Sequence, residues 1–236
     1  EALQQAGSEQ TRKTYLRHGA IEPLFGVSFA TLKSLLKKIG LDHELALALW
    51  DTGNFDARNL AVKVVDPMQM ASALLDRWAS ESAAPMCANY VGYIAVEAGQ
   101  GQPCADRWLR SVSAVERATG WATVGALAMT DVSAPDPWFV ERLAEIEHTI
   151  HSADNRQRDP MVNAVIAIGC RNSDLRELAL ASAQRIGKVQ IDHGDTACKT
   201  PDAVSSINKA WEHSSGKGFD SPAAHERSRE RMRLRC

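Results

Sequence analysis

The pattern of apolar and polar positions along the chain is helical almost throughout. In SFATLKSLLKKIG, residues 28–40, apolar side chains recur three and four positions apart, with lysines between them. Ser28 can cap the start of this helix, and Gly40 can end it. The same design follows in HELALALW after Asp42 and in FDARNLAVKVV after Asn54. The pattern therefore predicts three successive helices between residues 28 and 65.

The rest of the chain continues this rhythm. Asp66-Pro67 is expected to start a helix, because proline suits the first helical turn. Further helices are predicted near 84–98, 104–112, 113–130, 136–151, 158–170, 173–187 and 201–213. Only KVQI, residues 188–191, alternates like a strand. The chain is therefore predicted to be all-α, and short helices joined by short turns can form a bundle or a stacked solenoid.

Composition and charge divide the chain into a body and a tail. Apolar residues make up 44% of the 236 positions and charged residues 24%, which is typical of a soluble domain with a sizeable core. The net charge is only −2, but from Lys217 onward six basic residues face three acids. We therefore expect a single helical domain over residues 1–214 and a basic, flexible C-terminal tail over residues 215–236.

The cysteine pattern bears on compartment and metal binding. Five cysteines are scattered without a Cys-x-x-Cys pair, which argues against a zinc site or a disulfide framework and favours a reducing cytoplasm. No stretch approaches eighteen unbroken apolar residues, and the first residues lack the apolar region of a signal peptide. We expect a cytoplasmic monomer with no membrane span, no metal and no cofactor.

Three stretches, residues 15–67, 115–129 and 162–203, together resemble a known family. The most specific parts are Gly26-Val27-Ser28 and the segment LALALWDTGNFDARNLA. They resemble the DNA alkylation-repair family of HEAT-like-repeat proteins, whose best-understood members are alkylpurine DNA glycosylases. The resemblance implies a right-handed α-α superhelix, a HEAT-like repeat solenoid, that holds double-stranded DNA on a basic concave face.

The resemblance fails at the position of the family's chemistry. Family glycosylases hydrolyse the N-glycosidic bond of alkylated purines and need a carboxylate near the developing oxocarbenium ion. Active relatives supply it from a Trp-Asp-x-x-Asp-like element, whereas PMCANYVGYIAVEAG here places Met86 at the tryptophan and Tyr90 at the aspartate. A later tryptophan is replaced by Cys170. The resemblance thus implies that the fold is kept and that the known chemistry is lost or rerouted.

Candidate DNA contacts are cations and aromatic residues near these stretches. Arg117 stands where the family places an arginine, and Trp121, four residues on, shares its helical face. The candidates are Arg58, Arg117, Trp121, Tyr90, Lys37, Arg156 and Lys199. The structural alternatives are an intramolecular ion pair for Arg58 and Arg156, a surface position for Arg117, a solvated helix face for Lys37, an ordered connection for Lys199 and core packing for Trp121.

The polar stretch DHGDTACKTPDA, residues 192–203, stands apart from the helical pattern. A turn at Gly194, with Thr200 as N-cap and Pro201 as the first helical residue, would explain most of it. His193 or Lys199 could instead contact a ligand or nucleic acid, and a metal or Cys/His site is the remaining alternative.

Three functions are compatible with the sequence. The first is binding of duplex DNA, alkylated or distorted, with glycosylase activity in doubt. The second is a protein-interaction solenoid that binds a protein or peptide and has no nucleic-acid role. The third is an active glycosylase that uses another carboxylate.

Overall fold

The computed structural model describes residues 1–82 and 85–235, without the side chains of residues 85 and 86. Regular structure in this part of the chain is helical, and KVQI forms no strand, so the all-α prediction is confirmed. The helices are α1 Ala2–Gln5, α2 Glu9–Arg17, α3 Phe29–Ile39, α4 His43–Asp51, α5 Phe55–Val64, α6 Ser72–Glu81, α7 Pro85–Glu97, α8 Gly101–Leu109, α9 Ala114–Thr130, α10 Asp136–Thr149, α11 Asn155–Gly169, α12 Ser173–Ile186, α13 Ala203–Ser215 and α14 Pro222–Arg227.

The helices stack as pairs in two rows. One row, here called the groove row, contains α3, α5, α7, α9, α11 and α13, each packed on the next. The other, the outer row, contains α4, α6, α8, α10 and α12. Helices α7 and α9 approach closely at Gly92, where an added Cβ would lie 3.0 Å from the Thr123 backbone nitrogen. Apolar side chains between the rows form two adjoining clusters, one in each half of the array.

The predicted helix starts are largely confirmed. Ser28, Asp42 and Asn54 each accept a backbone N–H from the first turn of α3, α4 and α5, and Gly40 ends α3 with a positive φ. The prediction for Asp66-Pro67 was wrong in extent, because this pair begins only a 3₁₀ turn, Pro67–Gln69, and α6 starts later, at Ser72.

A buried carboxylate ties the N-terminal segment to the array. Asp56 in the first turn of α5 is fully buried and accepts the backbone N–H groups of Phe25, Gly26 and Val27 at 2.6, 3.0 and 2.8 Å. Gly26 has φ +77°, and a Cβ there would lie 2.5 Å from the backbone of α2. The motif Gly26-Val27-Ser28 is therefore explained by structure: it forms the turn that this carboxylate holds.

The segment expected to be a basic, flexible tail packs against the array. Helix α14 contacts α9 and α13, and a 3₁₀ turn at Met232–Leu234 contacts α5 and α7. Ala223 and Arg233 are fully buried there. Within the part of the chain that the structure describes, no helix has the length and apolarity needed to cross a membrane.

Candidate nucleic-acid interface

The free side of α7, α9 and α11, here called the groove face, contains a shallow depression of about 270 Å³. Its floor includes Tyr90, Trp121, Gly125 and Asn163, and Met232 borders it. None of the described side chains that line it is acidic. The depression thus brings together Tyr90 and Trp121, two of the candidate DNA contacts.

The groove-row helices run parallel, which gives the groove face two unlike edges. Arg117 donates to Gln157 Oε1 at 3.0 Å, and both residues lie in N-terminal turns, of α9 and α11. Arg171, just after α11, donates to the carbonyls of Leu127 and Ala128 near the end of α9. Helix N-termini favour anions and C-termini favour cations. The N-terminal edge is therefore suited to phosphate, and the C-terminal edge is not.

The structure brings three of the candidate residues together on this face. Arg117 donates to the Ser111 carbonyl at 2.5 Å as well as to Gln157, which leaves further guanidinium hydrogens for a ligand. Trp121, one helical turn later, is 3% exposed and serves as packed floor. Tyr90 lies half-buried beside it on α7.

A lysine that the sequence analysis missed lies against Tyr90. The Lys63 ammonium is fully buried, 4.4 Å from the centre of the Tyr90 ring. It donates to the carbonyls of Arg233 and Arg235 at 2.8 and 3.3 Å. A lone lysine within the apolar run LAVKVV was the available signal. The position implied for a catalytic carboxylate therefore holds a phenol beneath a cation, the wrong charge for an oxocarbenium ion. Met86 lies outside the described side chains.

A carboxylate lies beside the depression. Asp159 on α11 accepts a hydrogen bond from Asn163 at 3.1 Å, and Asn163 lines the depression. Burial raises the pKa of the Asp159 carboxyl, while His193 and Asn163 oppose the rise. The sequence did not indicate Asp159 as a site residue, because His193, which lies near it, comes from a loop distant in the sequence.

Arg58 lies away from the depression, in a structural cluster. Its guanidinium bonds to Glu81 Oε2 at 2.9 Å and to the carbonyls of Trp50 and Glu81, and it lies 4.8 Å from the Trp50 ring centre. Trp50 stacks on Trp78 at 4.0 Å. These contacts join α5 to the end of α6. Lys37 in the last turn of α3 and Arg156 in the first turn of α11 are exposed.

The loop 187–202 crosses the N-terminal end of α11. Asn155 exchanges hydrogen bonds with the Asp192 backbone, and Arg158 donates to the Gln190 carbonyl. Lys199 is exposed at a cavity of about 940 Å³ between this loop and α11–α13. His193 bonds to Thr200. Thr200 was expected to cap α13, but Asp202 does so, because its carboxylate accepts the Ser205 N–H.

Buried cysteine and arginine residues near the end of α11 are structural. Burial raises the pKa of the Cys170 thiol to about 12, so this thiol is neutral and packs in the core. Arg171 is 7% exposed and pairs with the partly exposed Asp136. No cluster of three or more His, Cys, Asp or Glu side chains among the described residues is arranged to hold a metal.

Comparison with known proteins agrees with this architecture. A solved structure described as "a new family of proteins related to the HEAT-like repeat DNA glycosylases with affinity for branched DNA structures" superposes with a TM-score of 0.81 and 29% identity, covering 93% of this chain and 94% of that one. The protein is therefore a HEAT-like-repeat α-α superhelix.

Sequence relatives cover nearly the same length. Uncharacterized proteins of Listeria innocua and Listeria monocytogenes are 27% and 26% identical over 214 residues, which is 88% of this chain and 93% of each relative. The family model described as "DNA alkylation repair enzyme" matches residues 1–207. This chain belongs to the DNA alkylation repair enzyme family.

Proposed function

We propose that the protein binds DNA at branch points through the groove face and does not remove alkylated purines. The observation that carries the proposal is the N-terminal edge of the groove row. There Arg117 lies beside the first turns of α9 and α11, and some of its guanidinium hydrogens remain available to a ligand. Backbone phosphates suit such an edge, since helix N-termini and arginine both favour them. The affinity of the similar solved protein for branched DNA supports this choice of ligand.

A titration at low salt tests the binding. A labelled four-way junction and a linear duplex of the same arm sequence are each titrated with protein, and fluorescence anisotropy is recorded. The junction is expected to bind more tightly, because a branch offers phosphates in more than one direction. Equal affinity for the two would contradict the preference for branches. No binding of either DNA would contradict the proposed function and favour the alternative, a solenoid that binds a protein or peptide.

The absence of base removal is a separate expectation. Methylated duplex DNA is incubated with the protein, and released purine is measured beside a family glycosylase as positive control. No release above background is expected, because Lys63 places a cation over Tyr90, where the reaction needs an anion.

Release of purine would contradict that expectation and point to Asp159. In that case Asp159→Asn would abolish release. The matched change Asp174→Asn, at an exposed carboxylate on the outer-row helix α12, would not.

A further inference from the structure

The C-terminal ends of α5, α7 and α9 lie together at one edge of the groove face. Helix C-termini carry partial negative charge and unpaired carbonyls, and Glu97 and Asp131 add two carboxylates at this edge. Left bare, the edge would repel a phosphate backbone. The nearby recess, about 430 Å³, is completed by the chain from Glu226 to Met232.

Residues 219–235, here called the C-terminal segment, cover this edge with guanidinium groups. Arg233 is fully buried and donates to the Lys63 carbonyl at 2.7 Å, near the end of α5, and to Glu97 at 2.9 Å, at the end of α7. Arg227 reaches the Met129 carbonyl of α9 at 3.5 Å. These arginines satisfy helix-end carbonyls that would otherwise present negative charge to the groove.

Lys63, which lies against Tyr90 of the depression, also binds the C-terminal segment. The Lys63 ammonium bonds to the carbonyls of Arg233 and Arg235 while it lies over Tyr90. Met232 borders both the recess and the central depression. The segment is therefore continuous with the groove face.

Four of its arginines divide into an outward pair and an inward pair. The side chains of Arg233 and Arg235 are 0% and 17% exposed, whereas those of Arg229 and Arg231 are 52% and 62% exposed. Two carboxylates are each shared by an inward and an outward arginine. Glu97 pairs with Arg231 and Arg233, and Glu226 pairs with Arg229 and Arg235. Each trio has a formal net charge of +1, and the exposed Glu230 between Arg229 and Arg231 offsets one of these two charges.

We propose that the C-terminal segment is a second phosphate-binding rim of the groove, which holds another arm of branched DNA through Arg229 and Arg231. The proposal rests on the proposed function. Rims at opposite edges of one face can hold two helical arms that leave a branch point together. The inward arginines act as positioning residues, and the outward pair makes the contact.

The test compares the double variant Arg229→Gln, Arg231→Gln with the unaltered protein. Because both side chains are exposed, the melting temperature is expected to stay nearly constant. Affinity for the four-way junction is expected to fall about tenfold. The slope of log affinity against log salt is expected to become shallower by about two units, since each lost phosphate contact makes it less negative by roughly one. Linear duplex binding is expected to change far less.

The matched control is Arg77→Gln, Arg185→Gln, which removes two exposed arginines from the outer-row helices α6 and α12. It is expected to leave both affinities unchanged. An unchanged junction affinity and slope in the segment variant would overturn the second rim. Equal losses on junction and duplex would overturn its assignment to another arm. If the unaltered protein binds neither DNA, the proposed function fails, and the rim fails with it.

Discussion

Replacing Asp56 with alanine is expected to lower the free energy of unfolding by about 3 kcal/mol or more. The fully buried carboxylate accepts three backbone N–H groups from residues 25–27, and its loss leaves these donors without their partner. Each such donor costs about 1–3 kcal/mol. Denaturant unfolding followed by tryptophan fluorescence measures the effect as a lower midpoint at unchanged slope.

The matched control is Asp51→Ala, five residues earlier. Asp51 is 56% exposed and pairs with Arg77 on the surface, so its loss is expected to cost less than about 1 kcal/mol. Similar midpoints for the two variants would show that Asp56 does not hold the turn at Gly26.

Replacing Arg117 and Arg156 together with alanine is expected to weaken linear duplex binding by about a hundredfold at low salt. Both residues lie in N-terminal turns of neighbouring parallel helices, on the edge assigned to phosphate. A charge-assisted hydrogen bond contributes about 1.5 kcal/mol or more, and each 1.4 kcal/mol is about tenfold in affinity. An anisotropy titration measures the loss.

Two further variants distinguish a loss of the groove edge from a general loss of positive charge. Arg117→Lys keeps a charge on this edge and is expected to retain most of the duplex affinity. The outer-row pair Arg77→Gln, Arg185→Gln loses the same formal charge elsewhere and is expected to bind duplex normally. If the outer-row pair loses as much affinity as the edge variant, net charge and not the groove edge governs binding.

Helix positions follow from the sequence because they depend on local signals. Apolar spacing and the caps Ser28, Asp42 and Asn54 act within a few residues of the helix they start. Local signals also compete, which explains the misplaced start of α13. Thr200 and Asp202 can both cap a helix, and in the structure Asp202 accepts the Ser205 N–H, whereas Thr200 is bonded to His193.

The candidate site follows from the sequence much less well, because its contacts join distant residues. Lys63 and Arg233 meet although they are 170 positions apart. Arg171 finds its ion pair 35 residues away at Asp136. Periodicity identifies the helix face of such a residue but not the chain that covers it. The C-terminal arginines are therefore visible in the sequence only as charge, whereas the structure separates inward anchors from outward contacts.

The central claim is that the groove face binds DNA through phosphate contacts, and a salt series tests it most directly. Binding of the four-way junction to the unaltered protein is measured at several salt concentrations between about 50 and 200 mM, the range over which phosphate contacts weaken strongly. Log affinity is expected to fall linearly with log salt, with a slope several units below zero. No binding at the lowest salt, or binding that salt leaves unchanged, would contradict the claim.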